Sequence, residues 1–244
     1  MTELAPLLLL TRPQAASEGF AVALRDRGAR FQAIVSPVLE IRPIGPLPDS
    51  EGVAGLIVTS AQGVAAWRAL GGRTDLPVFA VGDATARAAR SEGMEARSAS
   101  GDADALVAML TAMRPDGRLL HLRGTYSRGA VADRLRAAGL RVDEAVIYDQ
   151  PERDPTEAAR AVLAGERPVV APLFSPRSAA ILGKWPIKAP LLVAAMSEAV
   201  VKAFPTTHIR GLRVASHPDS GAMLDATAEL LGLAAGLEAE PGRV

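Results

Sequence analysis

The sequence contains no cysteine, which excludes disulfides, thiolate nucleophiles and Cys-ligated metal. It has three histidines, His121, His208 and His217, with no HExxH motif and no close His pair. A zinc site is therefore not expected, although carboxylate-bound Mg²⁺ stays open. The formal net charge is +0, so there is no basic surplus to neutralise phosphates, and nucleic acid is not an expected partner. No apolar run approaches the ~20 residues that a membrane span needs. Leu4–Leu10 is short and lacks a basic leader, so no signal peptide is expected. A soluble cytoplasmic protein is the default. Neither GxGxxG nor GxxxxGK[ST] occurs, which removes support for dinucleotide and P-loop readings. Aromatic residues are only 4% of the chain, and alanine is the main helix filler.

What is present is a regular alternation of short apolar runs and helical spacings. Across 244 residues, 49% hydrophobic, it allows one large domain or two smaller ones. Strands are predicted over Leu7–Leu10, Phe31–Val35, Gly55–Val58, Pro77–Val81, Met94–Ser98 and Arg118–Leu122. Further strands are predicted over Arg141–Tyr148, Val169–Phe174, Leu191–Ala195 and Leu212–Ser216. A helical stretch follows nearly every one of them. Gly28 and Gly139 stand where helix C-caps are expected, and Asp102 stands where an N-cap is expected. Residues 233–244 read as a frayed tail. Strands and helices in strict alternation mean an α/β fold with parallel sheets.

The chain also repeats itself. Arg12 and Arg123 are 111 positions apart, as are Leu24 and Leu135, Gly28 and Gly139, and Val35 and Val146. Thr59-Ser60-Ala61 corresponds to Phe174-Ser175-Pro176 at an offset of 115, and Val81–Ala84 to Ala194–Ser197 at 113. Each repeat is strand–helix–strand, a proline-bearing break, then three more strand–helix units. The breaks fall inside the repeats, at Pro37, Pro43, Pro46 and Pro48 and again at Pro151 and Pro155. The joint between repeats is only a short turn with Pro115 and Gly117. Extended proline-rich segments are typical of linkers between lobes. The expected lobes therefore exchange halves: 1–36 with 156–232, and 49–148, joined by linkers 37–48 and 149–155. Hinge motion at the linkers is expected.

Ligands of open parallel sheets bind beyond the carboxyl ends of the strands, at the N-termini of the following helices. The residues at those places are Arg12, Thr59, Ser60 and Gly63, Gly82 with Asp83, Arg123 with Gly124, Ser175 and Ser178, Ser197 and Ser216. Two such rims around one cleft suit an anionic, multivalent small molecule. Each residue also has a plainer role open to it. Ser and Thr at these turns cap helices in any α/β protein, and Arg12 or Arg123 can be surface ion-pair partners. His121 lies within a strand and reads as structural. His217 has no evident triad partner. Asp83 is an acid or a cap. Tyr148, one of two tyrosines, ends the strand that runs into the second proline break.

Leu9–Pro13, Ile57–Val64, Ala80–Ala86, Leu120–Gly124, Val146–Tyr148 and Leu173–Ala179 together resemble the HemD-like uroporphyrinogen-III synthase family, in order and spacing, over nearly the whole chain. The resemblance implies two flavodoxin-like parallel-sheet lobes joined by a two-stranded linker. It implies a cyclising lyase of tetrapyrrole biosynthesis, serving heme, siroheme or corrin supply. Its substrate would be hydroxymethylbilane, a linear tetrapyrrole with eight carboxylates, closed to uroporphyrinogen III with ring D inverted and water lost. No cofactor or metal is implied, and a monomer is. The family's tyrosine falls on Tyr148, as acid for the leaving hydroxyl, and Thr59, Ser60, Ser175 and Ser197 fall on cleft positions. The turn Ala195-Met196-Ser197-Glu198 departs from the family's Gly-x-x-Thr, and Glu198 would repel carboxylates unless it points away. The alternative is a two-lobed, non-enzymatic binding protein or sensor for an anionic small molecule. A nucleotide-sugar transferase would want a phosphate loop that is not found.

Overall fold

The computed structural model describes residues 4–126, 129–205 and 209–239. The chain begins β1 (Leu7–Leu10), α1 (Gln14–Asp26), β2 (Gln32–Val35), β3 (Arg42–Pro43), β4 (Val53–Val58) and α2 (Ala61–Ala69). It continues β5 (Val78–Ala80), α3 (Asp83–Ser91), β6 (Ala96–Ser98), α4 (Ala103–Met113), β7 (Arg118–Gly124), α5 (Val131–Ala137) and β8 (Arg141–Asp149). It ends α6 (Glu157–Ala164), β9 (Val169–Leu173), α7 (Pro176–Leu182), β10 (Leu191–Ala195), α8 (Glu198–Ala203), β11 (Ile209–Val214) and α9 (Ser220–Ala239).

The strands form two sheets, ordered β11-β10-β9-β1-β2 and β3-β8-β7-β4-β5-β6. Each sheet takes its strands from both repeats. Unit 1 is Met1–Glu40 with Glu152–Val244, and unit 2 is Ile41–Pro151. Within unit 1 the parallel order is second-first-third-fourth-fifth along the chain, the flavodoxin-like winding. Unit 2 winds the same way when β7 and β8 are counted before β4, β5 and β6. The topological switch, where the winding reverses, therefore lies between β1 and β9 in unit 1 and between β7 and β4 in unit 2.

Period-two alternation explains the continuous apolar runs, because both faces of each sheet are covered. In β1, Leu7 and Leu9 join one buried cluster while Leu8 and Leu10 join another. In β4, Leu56 and Val58 face one cluster and Ile57 the other. Helix ends follow local chemistry. Asp102 accepts hydrogen bonds from the backbone N–H groups of Asp104 and Ala105 at 2.9 and 3.1 Å. Gly28 and Gly139 close α1 and α5 with φ of +83° and +84°. In both cases the next residue's N–H reaches five back, Ala29 to Leu24 and Leu140 to Leu135. Gly71 after α2 and Gly93 after α3 repeat the same C-terminal motif, and only glycine adopts its left-handed conformation without strain.

Two expectations need correction. Part of the proline-rich stretch 37–48, expected as connector throughout, is a strand. Arg42 pairs with Asp149 and Pro43 with Tyr148, antiparallel to β8. Proline is tolerated because β3 is the edge of its sheet, where no outward N–H is needed. Leu39 bridges Glu152 in the same antiparallel sense, so the two crossing segments run as a two-stranded ribbon. Residues 233–239 of the tail expected over 233–244 are helical instead, since α9 continues to Ala239. Leu230, Leu231 and Ala234 are buried in the unit 1 core, and that burial carries the helix onward. Residues 240–244 lie outside those described. Among the described residues no helix is long and apolar enough to cross a membrane.

Candidate functional site

At the switch of unit 2, Tyr148 is the next-to-last residue of β8, opposite Gly124 at the end of β7. The pairing register shifts between Arg123 and Gly124, and the backbone is held there by a hydrogen bond from Thr125 N–H to the Tyr148 carbonyl at 3.0 Å. The tyrosine ring lies directly on Gly124. A Cβ at that position would come within 2.5 Å of the ring. Gly63, in the first turn of α2, borders the other side of the ring, 3.9 Å from where its own Cβ would be. Gly124 thus makes room for the aromatic ring, whereas a Cβ at position 63 would meet it at an ordinary contact distance.

Tyr148 is only 4% exposed. Burial pushes its pKa above the ordinary value, while hydrogen bonds from the Gly124 backbone and the Ser60 side chain pull the other way. The phenol is therefore neutral at physiological pH and available as a donor. Ser60 caps α2, accepting from Gln62 N–H at 3.4 Å, and its hydroxyl also donates to the Gln62 side-chain carbonyl oxygen. It can serve Tyr148 as donor or acceptor, depending on its rotor. Thr59 precedes it at the end of β4, partly buried. Thr125 Oγ1 donates to Asp149 at 2.5 Å, tying the ends of β7 and β8 together.

Arg123 has a different setting. Its Nε donates to Glu144 at 3.0 Å, and Arg136 approaches the same carboxylate at 3.7 Å. His121, 2% exposed, places Nδ1 3.3 Å from Glu144. Its Nε2 is buried without a partner. Desolvation lowers the His121 pKa, so the ring is neutral, with Nδ1–H facing the carboxylate. His121 and Arg123 thus share the Glu144 carboxylate, so the charge of Arg123, expected as a ligand contact, is paired within unit 2. The cause is register: Arg123 pairs with Val146 and His121 with Glu144, so Arg123 and Glu144 are diagonal neighbours on adjacent strands.

Elsewhere on unit 2, Gly82 caps α3 in an extended conformation. Asp83 is exposed, and Ser98 and Ser100 hold its carboxyl below its usual pKa.

Unit 1 carries the other expected residues. At its switch Arg12 follows β1 with its guanidinium 4.4 Å from the Phe174 ring centroid, just beyond β9. Phe20 meets that ring edge-on at 5.2 Å and 89°. Burial lowers the Arg12 pKa, and among the described residues no carboxylate pairs with it. Ser175 caps α7, accepting from Ser178 N–H at 3.1 Å and donating to Ser178 Oγ at 2.9 Å. Ser197 holds the N-cap position of α8 but makes no side-chain cap, and Glu198 beside it is exposed. Ser216 and His217 are exposed and bond each other at 3.3 Å.

Unit 2 offers a neutral phenol donor beside the Ser60 hydroxyl. Unit 1 offers a partly buried cation with no carboxylate partner among the described residues. Among the described residues no group of three or more His, Asp or Glu is placed to hold a metal ion. A family model described as uroporphyrinogen-III synthase HemD matches residues 18–225. The chain belongs to the uroporphyrinogen-III synthase family. Its fold is similar to that of the uroporphyrinogen-III synthetase from Helicobacter pylori, with a TM-score of 0.67 and 14% identity, covering 92% of this chain and 99% of that one. It is also similar to a mutant uroporphyrinogen III synthase from the extremely thermophilic bacterium Thermus thermophilus, with a TM-score of 0.51 and 18% identity, covering 93% and 99%. No curated protein matches the chain in sequence. Within the synthase span lie Tyr148, Ser60, Gly63 and Gly124, whereas Arg12 precedes it.

Sequence reasoning missed the partners that give these residues their roles. Gln62 lies two positions after Ser60, an expected cap, and that spacing is a usable signal. Phe174 and Glu144 carried none, because their contacts with Arg12 and Arg123 come from strands remote in sequence.

Proposed function

We propose that this chain cyclises hydroxymethylbilane to uroporphyrinogen III, inverting ring D and releasing water. The observation that carries the reading is the synthase-family match over residues 18–225. That membership disfavours the non-enzymatic binding protein. In the reaction the terminal C–O bond breaks as the pyrrole nitrogen's electrons push in, and the hydroxyl leaves as water with a proton from the enzyme. The resulting azafulvene is attacked by the substituted carbon of ring D, giving a spiro intermediate. That intermediate fragments, recloses and releases a proton.

Tyr148 is our candidate for the donor to the departing hydroxyl. Its burial and raised pKa keep the proton on the phenol, which suits a hydrogen-bonding acid better than a base. Ser60 is the group able to receive or return that proton through its own hydroxyl. The remaining work is positioning, with the linear chain folded so that the substituted carbon is presented. Arg12, Thr59, Ser60, Gly63, Gly82, Ser175, Ser178 and Ser197 are the proposed substrate-binding set. In this reading Gly124 seats the Tyr148 ring, and Arg123 belongs to the Glu144 cluster. The linkers over 37–48 and 149–155 are proposed to flex. The reaction as written draws on no cofactor or metal, and a cytoplasmic monomer is the working assembly.

The test supplies freshly made hydroxymethylbilane and separates the type I and type III isomers. We expect type III to dominate. Type I alone, the product of spontaneous closure, would sink the synthase reading.

A further inference from the structure

We propose that Arg12 anchors one carboxylate of the substrate in unit 1, and that Phe174 is the positioning residue that holds the guanidinium ready for it. The inference rests on the synthase reading and adds to it a specific ion contact and the residue behind that contact.

The guanidinium lies over the Phe174 face at 4.4 Å, and Phe20 braces the same ring from its edge. A guanidinium held over a ring keeps its N–H groups available when it lies flat on the face, and such a fork grips a carboxylate in two parallel hydrogen bonds. The backbone beneath is fixed as well. Ser17 Oγ donates to the Arg12 carbonyl at 2.8 Å, and Val38 N–H donates to the Thr11 carbonyl at 3.1 Å. The charge is partly desolvated, and among the described residues it has no carboxylate partner. An incoming anion relieves that cost, and the attraction is stronger than in water because the site is already partly dry. Arg123 is the counterpart that shows the difference. It sits 111 positions later at the end of β7, and Glu144 holds it at 3.0 Å. Of the two matched arginines, one has its anion built in and the other awaits one.

The test measures steady-state kinetics with hydroxymethylbilane, together with isomer analysis and a thermal melt for each variant. Arg12→Met keeps the apolar stem on the ring and removes the charge. It is expected to raise KM about tenfold, as loss of a charge-assisted pair requires, with kcat within about threefold. Phe174→Leu is expected to raise KM about threefold, and Phe174→Tyr to restore it, because a tyrosine face also carries a cation. Raising salt should raise KM in the wild type and change it less in Arg12→Met. An unchanged KM in Arg12→Met, with type III still formed by the wild type, overturns the anchor alone. A KM rise in Phe174→Leu that Phe174→Tyr leaves uncorrected overturns the positioning role. Type I product alone from the wild type overturns the reading beneath both.

Discussion

At the end of β1, Arg12 lies on Phe174 without an ion-pair partner among the described residues, and at the matching end of β7, Arg123 is held by Glu144. At the end of β8, Tyr148 lies on Gly124, and the matching position after β2 is Pro37, which has neither a ring hydroxyl nor an N–H. The two units share one winding order, one helix-stop motif and caps at matched turns. They differ at their switches, where unit 2 has a buried tyrosine and unit 1 an arginine with no carboxylate partner among the described residues. A duplicated fold thus keeps what closes sheets and helices, because each unit must fold, while a single reaction requires only one proton donor.

The largest effect should come from Tyr148. Tyr148→Phe is expected to lower turnover on the order of 100-fold, within the range for a lost acid, with the melting temperature nearly unchanged. Full activity would leave positioning as the whole mechanism and erase the contrast with Pro37. The same residue can be observed directly. In a Tyr126→Phe background Tyr148 is the sole tyrosine, and its phenolate absorbance should rise only above the ordinary value of 10.0. A midpoint below that would mean the hydroxyl is not desolvated.

Gly124→Ala comes next. A Cβ 2.5 Å from the ring forces Tyr148 to shift, so a loss of about 2 kcal/mol in stability and roughly tenfold in turnover is expected. Gly63→Ala is the control. Its Cβ would meet the Leu122 carbonyl oxygen at 3.5 Å, an ordinary contact, so stability should stay within about 1 kcal/mol, helped by helix propensity. An equal loss of stability from both would show that the ring is not seated on Gly124.

Arg123→Gln sharpens the arginine comparison. The ion pair it breaks is partly exposed, so the expected cost is about 1 kcal/mol, with KM within about twofold. A KM increase as large as that of Arg12→Met would restore the symmetry of the two ends.

The smallest effect concerns pH. His121 is buried neutral beside Glu144, Arg123 and Arg136, and desolvation is the main cause of its lowered pKa. The unfolded chain therefore binds the extra proton more readily. The corresponding stability is fully present above the ordinary value of 6.5 and is lost as pH falls through the lower folded value. Melting temperature should drop by a few degrees over that window, and His121→Gln should flatten the drop. A melting profile in which His121→Gln follows the wild type throughout would remove His121 from the acid response.

Much of the fold was legible because its signals are local. Apolar runs marked buried strands, glycines at 28 and 139 marked left-handed helix stops, and prolines marked the crossings. Their placement inside the repeats pointed to exchanged halves, and the sheets do combine strands from both repeats. Arg42–Pro43 escaped detection because a two-residue edge strand has no periodicity to read. Residues 233–239 escaped it because their helicity depends on burying Ala234, which no local pattern announces.

For the candidate site, the sequence by itself determined which residue types end each strand: hydroxyls and glycines at the turns, two matched arginines and one unmatched tyrosine. These follow from spacing along one chain. Only the tertiary structure decided what each of them is free to do. Strand register gave Arg123 its Glu144, β9 brought Phe174 under Arg12, and β7 placed Gly124 beneath the Tyr148 ring. The physical reason is that availability for chemistry depends on unspent charge and unspent hydrogen bonds. Whether these are spent depends on neighbours distant in the chain, 21 positions away for the pair Arg123–Glu144 and far more for Arg12–Phe174.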